Sequence, residues 1–589
     1  MPFRLAQRKI LLCVLTHRHC QPTFPIISVR TSLLEVKCCV TMLKNKFFSC
    51  ILLAFSHATF AAQLPVGGNQ MQQIPAPPPD QKLPAPIEVE GHNTPVIADK
   101  DTAKMTVNNL KITGAQVYSE ANLLAITGFK PGRKLTLADL RNIANRIADY
   151  YHHNGYFVAQ AYIPAQDILN GTVTLSVIEG KYGGIILHNK TKLSNSLAQS
   201  LLGNLNKGDL IASAPLENSL LLLSDLPGLR VQSTLTPGAS IGVSDLIVDL
   251  TPAQRFSGSM DADNAGNLYT GTDRLGVTVN LNEPCGYGDI ATLRLLTSGP
   301  GLSYARAAYQ FQLAQVKIGL AYSNLQYSVG QEFANLQANG TAHITSLFSS
   351  YPLIRSRQNN LNAKIALDAK FFEDRVGLFS SITDKSTHVL TAAIEGDLRD
   401  TFAGGGLSSY SLSWLAGKMD IKTPSVLATD AATAQSNGDY NKLVFNISRL
   451  QSATGSTSFY AGINGQSASK NLDVSEKMEL GGITAVRAYP EGESYADHGY
   501  VLNLESRTQI SGRIQLIGFL DTGTVSIDKN PWSSGTNRRT LSGAGAGFNW
   551  AGSNNFWVKG YYAHKVGDAV ATSAPDSSGR FWIQAVKYF

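Results

Sequence analysis

Polar and apolar side chains alternate along the C-terminal part of the chain, from residue 254 to residue 589. Short runs of Gly, Asn, Asp and Ser, which favour turns, separate the alternating stretches. Within Tyr304–Leu313 the more polar face has Tyr304, Arg306, Ala308, Gln310 and Gln312, and the apolar face has Ala305, Ala307, Tyr309, Phe311 and Leu313. Within Tyr500–Gln509 the polar face has Asn503, Glu505, Arg507 and Gln509, and the apolar face has Tyr500, Leu502 and Leu504. This alternation predicts β-strands whose two faces meet different surroundings.

Two architectures fit such strands. In water the pattern is typical of a β-sandwich, and in an outer membrane it is typical of a barrel with lipid outside and a wet lumen inside. Roughly 335 residues at about 21 per strand and connection give about 16 strands, which is within the range of outer-membrane barrels. Lipid offers backbone groups no hydrogen-bond partner, so a sheet that spans it must close. We therefore expect a mainly β protein built on a 16-stranded antiparallel transmembrane barrel over residues 254–589.

Residues 87–253 follow a different pattern, in which short strands alternate with helices. Leu135–Tyr151 is predicted to be a helix, because apolar residues recur at spacings of three and four. Two further helices are expected at Leu193–Leu205 and Pro215–Leu226. Strands are expected at Met105–Gly114, Phe157–Ile163, Thr172–Ile178, Gly184–Leu187, Leu229–Leu235 and Ser244–Leu250. These elements predict two successive β-α-α-β-β units, at residues 87–181 and 182–253.

The N-terminal part divides into three segments. Residues 42–61 are a predicted signal peptide, with a basic start, an apolar run from Phe47 to Phe55 and small residues for cleavage near Ala61. Residues 1–41 precede the signal peptide. They are either an unusually long extension or the result of a start codon assigned too far upstream. Residues 62–86 are rich in Pro and Gln, and they are predicted to form an extended linker without a helix.

Charge and cysteine content narrow the classes of partner and chemistry. The net charge is +7, but residues 1–61 hold eight basic residues and one acidic residue. Subtracting these from 50 basic and 43 acidic residues leaves 42 of each sign, so the charge gives no case for nucleic-acid binding. Five of the six cysteines also lie in that segment, which leaves Cys285 without a partner for a disulfide or a thiolate metal cluster.

The candidate functional residues lie in two short stretches near the C-terminus. The first is a glycine-bounded loop, Gly481–Glu493, in which Arg487 stands among apolar neighbours. The second is the strand-like run Gly518–Gly523, which contains Asp521. An arginine away from bulk water needs an acidic partner, because an unpaired buried charge is costly. Asp521 is the predicted partner of Arg487.

These two stretches carry a resemblance to a known family. The loop resembles the VRGY/F motif of the two-partner secretion transporters of the bacterial outer membrane, which include the haemolysin secretion/activation proteins, through Val486, Arg487, Ala488, Tyr489 and Pro490. The second stretch resembles their F-x-D-x-G strand motif through Phe519, Asp521 and Gly523. Ala488 departs from the family, which usually has Gly there. The resemblance implies that residues 481–497 fold back into the barrel and that Arg487 meets Asp521.

The resemblance also implies roles for other parts of the chain. The two α/β units resemble POTRA domains, which lie in the periplasm and bind extended peptides at an exposed strand edge. Glu505 and Arg507 match an inward E-x-R pattern, and they fit an ordinary ion pair in the lumen equally well. The aromatic final strand ending in Phe589 resembles the signal read by the barrel assembly machinery. Many relatives carry a plug helix before the first POTRA domain, which residues 62–86 do not obviously supply.

The function implied is export of one large secreted exoprotein, a haemolysin or adhesin with an N-terminal secretion domain, through a pore in outer-membrane lipid. One alternative is a related assembly factor that inserts other barrels, although that class usually has more POTRA units. A passive porin is the other alternative, although porins lack POTRA-like units and the arginine loop.

Other motifs give no support for catalysis. Gly543–Gly547 lacks the Lys and the following helix of a phosphate-binding loop, and small residues that let an inserted loop approach a strand explain it better. The sequence has no HExxH, GxSxG or paired-cysteine motif. We expect no enzyme activity, no cofactor and no metal.

Overall fold

The computed structural model describes residues 65–76, the backbone of residues 87–89 and residues 103–589. The predicted extension 1–41 and signal peptide 42–61 lie outside the described residues. Among the described residues, no helix combines the length and apolar character that crossing a bilayer requires.

Helix α1, Gly67–Gln72, lies inside the segment that was predicted to be a linker. The prediction of an extended chain without a helix is wrong here. The Asn69 side chain accepts a hydrogen bond from the backbone N–H of Val66 at 2.9 Å, and this caps the helix start. Residues 67–70 are buried, so tertiary packing holds a helix that would be far too short to form alone. The Pro-rich composition begins only at Pro75, after the helix ends.

The first α/β unit contains two helices and five short strands. In chain order they are β2 Met105–Val107, β3 Asn109–Thr113, α2 Glu120–Thr127, β4 Arg133–Leu135, α3 Leu137–His153, β5 Gln160–Tyr162 and β6 Thr172–Ile178. Strands β3, β6 and β5 form one sheet in that order. Thr136 and Asp139 cap α3 reciprocally, and the predicted apolar stripe of α3 faces the core. The strand predicted over Met105–Gly114 is broken at Asn108, and the one predicted over Phe157–Ile163 shrinks to β5.

The second unit has strands β7 Lys181–Asn189, β8 Leu229–Pro237 and β9 Val243–Pro252, with helices α4 Asn195–Leu202 and α5 Ser213–Ser224. Its sheet has the order β1-β8-β9-β7, in which β1 is Ile87–Val89 and runs parallel to β8. Residues 87–89 were predicted to begin the first unit, and in the structure they instead form an edge of the second.

Sixteen strands of the described chain close into an antiparallel barrel, as predicted. The first eleven are β10 Phe256–Asp263, β11 Arg274–Asn282, β12 Ile290–Thr297, β13 Leu302–Leu313, β14 Val316–Ser328, β15 Ala338–Arg355, β16 Asn359–Val376, β17 Ser381–Asp400, β18 Gly406–Ile421, β19 Gly438–Ser452 and β20 Thr457–Ala468. Two-residue strands β21, Met478–Glu479, and β22, Tyr495–Ala496, pair within the following loop. The last five barrel strands are β23 His498–Ser511, β24 Ile514–Ser526, β25 Arg538–Ala551, β26 Phe556–Lys565 and β27 Gly579–Tyr588. Helix α6, Pro424–Ala432, connects β18 and β19.

The outer face of the barrel is apolar on β12 and on β14 to β18. Large apolar side chains between 38 and 57 % exposed project from it, among them Leu293, Leu320, Leu347, Leu367, Leu390 and Leu412. On β13 the predicted faces are confirmed, because Tyr304 is buried in the interior while Leu313 is 60 % exposed. An exposed apolar band around a closed sheet fits the predicted lipid contact.

The second α/β unit docks on one end of the barrel. Arg355, at the end of β15, forms a bidentate pair with Asp225 at 2.7 and 2.8 Å. The backbone N–H of Ser194 donates to the carbonyl of Gly286 in the β11–β12 connection. Because barrel strands alternate in direction, the long connection between β20 and β23 starts from the opposite end.

Candidate functional site

The connection between β20 and β23 turns back into the barrel, which confirms the predicted inward course of residues 481–497. It contains a 3₁₀ turn at Val474–Glu476, the β21–β22 pair and the motif loop. Val486, Ala488 and Tyr489 are fully buried in a cluster with wall residues. Pro490 is buried beside them.

Arg487 and Asp521 form the predicted pair. The Arg487 Nε and Nη2 atoms donate to the two oxygens of Asp521 at 2.8 and 2.7 Å. The backbone N–H of Arg487 adds a third bond to Asp521 at 3.2 Å, and Asn503 Nδ2 donates to the same carboxylate at 2.7 Å. Arg487 is 4 % and Asp521 2 % exposed. Bidentate, nearly dry contact makes this a geometrically specific ion pair.

Glu505 joins the pair as a second acidic partner. It accepts from Arg487 Nη1 at 2.7 Å through one oxygen and from Arg507 Nε at 2.8 Å through the other. Of the two predicted lumen residues, Glu505 therefore contacts the loop, whereas Arg507 lies farther along the wall against Glu505 and the ring of Tyr460. The Arg487 guanidinium also stacks on Phe519, with its carbon 3.6 Å from the ring centre.

The remaining motif residues determine how closely the loop packs against the barrel wall. Ala488 does not have a positive φ angle, so alanine is accommodated where the family usually has glycine. It faces Gly543 on β25, where an added Cβ atom would lie 2.5 Å from the Ala488 Cβ. Gly523 similarly leaves room for Leu480. Within the run 543–547, the prediction that small residues admit the inserted loop is confirmed for Gly543, whereas added Cβ atoms at Gly545 and Gly547 would meet wall residues.

Two further hydrogen bonds tie the motif to β27 and to the β26–β27 connection. Trp582 Nε1 on β27 donates to the Arg487 carbonyl at 2.7 Å, and the Tyr489 hydroxyl donates to the carbonyl of Ala569 at 3.0 Å. Phe589 lies outside this site, at the seam where β27 pairs with β10, and its backbone exchanges hydrogen bonds with Gly258. Its role as an assembly signal remains a prediction.

Helix α1 lies in the lumen beside the loop. This helix was not predicted from the sequence. The N–H of Gly67 donates to Asp374 on β16 at 2.7 Å, and Thr270 Oγ1 donates to Gln70 at 2.6 Å. Gln73, just after the helix, donates to the Tyr495 hydroxyl of the loop at 2.6 Å. The helix therefore lies in the lumen in contact with both the wall and the loop.

A half-buried carboxyl group, Glu479, and a buried one, Glu491, lie where the helix meets the loop. Glu479 is near Gln73 Nε2 at 3.4 Å, and Glu491 accepts from the N–H of Ile483 at 2.8 Å. Burial raises the pKa of Glu491 to about 7, against the opposing charge of Arg274 on β11. Burial and the charge of Glu491 raise the pKa of Glu479 well above its usual value. Nothing in the residue spacing indicated this pair, since strands β21 and β22 bring it together.

A lumen that holds a helix and an arginine-locked inward loop, in an outer-membrane barrel that follows two POTRA-like units, defines an outer-membrane polypeptide transporter. Comparison with known proteins agrees. Residues 105–180 match the family model of the ShlB-type POTRA domain, and residues 242–550 match that of the haemolysin secretion/activation protein ShlB/FhaC/HecB. The chain belongs to the ShlB/FhaC/HecB family, and it is an outer-membrane protein with periplasmic POTRA domains.

Individual relatives give the same picture. The chain is 29 % identical over 469 residues to the heme/hemopexin transporter protein HuxB of Haemophilus influenzae strain 86-028NP, covering 78 % of this chain and 82 % of that protein. It is 22 % identical over 441 residues to the outer membrane transporter CdiB of Dickeya dadantii, covering 71 and 76 %. The solved structure of CdiB from Escherichia coli aligns with a TM-score of 0.64 and 16 % identity, over 84 % of this chain and 92 % of that one. CdiB from Acinetobacter baumannii aligns with a TM-score of 0.57 and 17 % identity, over 95 and 100 %.

Proposed function

We propose that this protein captures one large secreted exoprotein in the periplasm and passes it, in extended form, through the barrel lumen to the cell exterior. The observation that carries the proposal is the lumen itself, in which both α1 and the Arg487 loop lie against the wall. A passive porin does not need both a helix and a loop inside its lumen. A pore wide enough for a polypeptide, in contrast, must be closed between transport events. The matched family favours export over the insertion of other barrels.

The capture site is proposed to lie beside β5 in the first POTRA domain. A groove of about 550 Å³ runs between α3 and β5, with Leu140, Ala144 and Tyr162 in its lining. Strand β5 pairs with β6 on one side and is an edge of its sheet. An extended peptide can therefore add a strand to β5 and place alternate side chains in the groove. Tyr162 is 43 % exposed at this position.

The proposal needs no catalytic step. No nucleotide is present in the periplasm, so folding of a β-rich exoprotein outside the cell is the proposed driving force. The protein is proposed to act without a cofactor, metal or nucleic acid, to contact outer-membrane lipid through its apolar band, and to be inserted by the barrel assembly machinery. The secretion domain at the N-terminus of the exported protein is the proposed ligand of the groove.

Deleting residues 105–180 tests the capture role. We expect one large protein to disappear from the culture medium, as measured by mass spectrometry of secreted proteins, while the barrel still inserts. Tyr162→Asp should reduce release, because a charge in an apolar groove loses its hydration. Ile241→Asp is the control, since Ile241 is an exposed apolar residue of the second POTRA domain and does not line the groove. Unchanged release from the deletion would refute the capture role, and broad loss of outer-membrane proteins would favour the assembly factor.

A further inference from the structure

A cluster of buried charges holds the base of the inward loop, about ten residues before Arg487 along the chain. Lys370 on β16 and Lys442 on β19 contact the two carboxylate oxygens of Glu476 at 2.6 and 3.0 Å. Lys385 on β17 contacts both oxygens of Asp473, at 3.0 and 3.1 Å. Glu476 is 1 % exposed, and Lys385 and Lys442 are 7 and 8 % exposed.

The same acidic segment carries the plug helix. Gly68 packs so closely on Ser475 that an added Cβ atom would lie 2.5 Å from the serine Cβ. Gln72 Nε2 donates to the carbonyl of Val474 at 3.2 Å. Residues 473–476 are therefore sandwiched between helix α1 and three wall lysines.

In this cluster the signs of charge on loop and wall are the reverse of those at the loop tip. At the tip a loop arginine meets wall carboxylates, whereas at the base loop carboxylates meet wall lysines. Buried charges are costly without their partners. If the segment left while the lumen stayed dry, the three lysines would lose their nearest carboxylates and keep only the more distant charges of Asp368, Asp374 and Asp497. The segment can leave at low cost only when water enters, which requires that α1 leave as well.

The protonation of Glu476 fits this arrangement. Burial alone would raise its pKa, but the charges of Lys370 and Lys442 outweigh burial and lower the pKa of Glu476 to about 2. The carboxylate is therefore ionised at every physiological pH.

We propose that Asp473 and Glu476 form a second latch, which couples the seating of plug helix α1 to that of the inward loop and keeps the lumen closed. Opening for transport then requires both elements to move together. The inference rests on the proposed function only in that transport needs an open lumen.

Single-channel recording of the purified full chain in planar bilayers tests the latch without any exported protein. Asp473→Asn combined with Glu476→Gln should raise the open probability by about tenfold or more, because three buried lysines lose their partners. The matched control is Glu395→Gln, which removes a carboxylate from the Lys364–Glu395 pair on the same wall strands, β16 and β17, away from the helix. Equal open probability in the latch variant and this control would overturn the proposal.

A rescue variant separates lost charge pairing from general damage. Glu476→Gln, Lys370→Met and Lys442→Met together remove both signs of charge, so we expect the open probability to return toward that of the native protein. Failure of the triple variant to close better than Glu476→Gln alone would contradict an electrostatic latch.

Cysteine reporters test the coupling. In a Cys285→Ser background, a single Asn69→Cys change reports the helix and a single Ser475→Cys change reports the loop base, and both positions are buried. Adding the Glu476→Gln change should raise maleimide labelling of both reporters in parallel. Labelling of the helix reporter without the loop-base reporter would show that the two elements move independently. These readouts need no exported protein, so they are independent of the secretion test of the proposed function.

Discussion

Replacing Arg487 with alanine should release the loop tip while the barrel stays folded. The change removes three side-chain hydrogen bonds and leaves Asp521 and Glu505 buried without their shared cation. Breaking a buried pair by removing one partner costs about 3–5 kcal/mol. Asn503 and Arg507 still donate to the two carboxylates, so the lower end of that range applies.

A cost of about 3 kcal/mol shifts the equilibrium between the seated and released loop by roughly 150-fold. Secretion should fall, because the released tip no longer holds one conformation in the lumen. Backbone pairing between the barrel strands does not involve the side chain, so the heat-modifiable mobility of the barrel on a gel should not change. Maleimide labelling of a single Ala485→Cys reporter, 7 % exposed at the tip of the seated loop, measures the release directly in a Cys285→Ser background.

A double-mutant cycle with Asp521→Ala makes this prediction quantitative. Each single change should cost nearly as much as the double change, because either one destroys the same pair. Arg507→Ala is the control, since it also removes a partner of Glu505 but leaves the contact between Arg487 and Asp521 intact. It should cost no more than about 1 kcal/mol, as a partly exposed pair does. Strict additivity in the cycle, or equal effects of Arg487→Ala and Arg507→Ala, would refute the reasoning.

Three further predictions concern the seats of the loop and the plug. Gly543→Ala should impair secretion and loosen the loop tip, because the new methyl group meets the Ala488 methyl group. Adding Ala488→Gly should restore secretion and the packing of the tip. A double variant that is not restored would argue against direct contact. The loop should be seated most firmly below about pH 4.5 and loosen as the pH rises through about 7, because the seated form holds a proton on Glu491 that the released form loses. Channel opening should therefore rise with pH, and Glu491→Gln should make that rise shallower, with the contribution of Glu479 remaining. Gly68→Leu should prevent docking of α1 and give a steadily conducting channel in bilayers, and a quiet channel would show that the helix is not the obstruction.

The barrel and the arginine lock were predictable because each depends on local pattern or motif. Alternation along single strands assigned the faces of Tyr304–Leu313, and the charges of Arg487 and Asp521 required each other once both were buried. Of the small residues at 543–547, Gly543 is the one that makes room for the loop, as predicted.

The plug and the second latch were not predictable from the sequence, for a common physical reason. Helix α1 has six residues and depends on a wall carboxylate more than 300 positions away, at Asp374. The three lysines around Asp473 and Glu476 come from three separate strands, and each resembles an ordinary inward charge in its own stretch. Only closure of the barrel places these groups together.

Photo-crosslinking from two adjacent alanines of β17 tests the central claim most directly. Ala393 shares its face with Glu395 and points into the lumen, whereas Ala392 shares the lipid face with Leu390 and Ile394, which are 38 and 43 % exposed. A photoreactive phenylalanine derivative is placed at either position while the exported protein is stalled in transit by a folded domain fused to its C-terminus. Transit through the lumen predicts adducts between the stalled protein and position 393, with none at position 392. Equal adducts at both positions, or none at position 393 during a confirmed stall, would contradict export through this barrel.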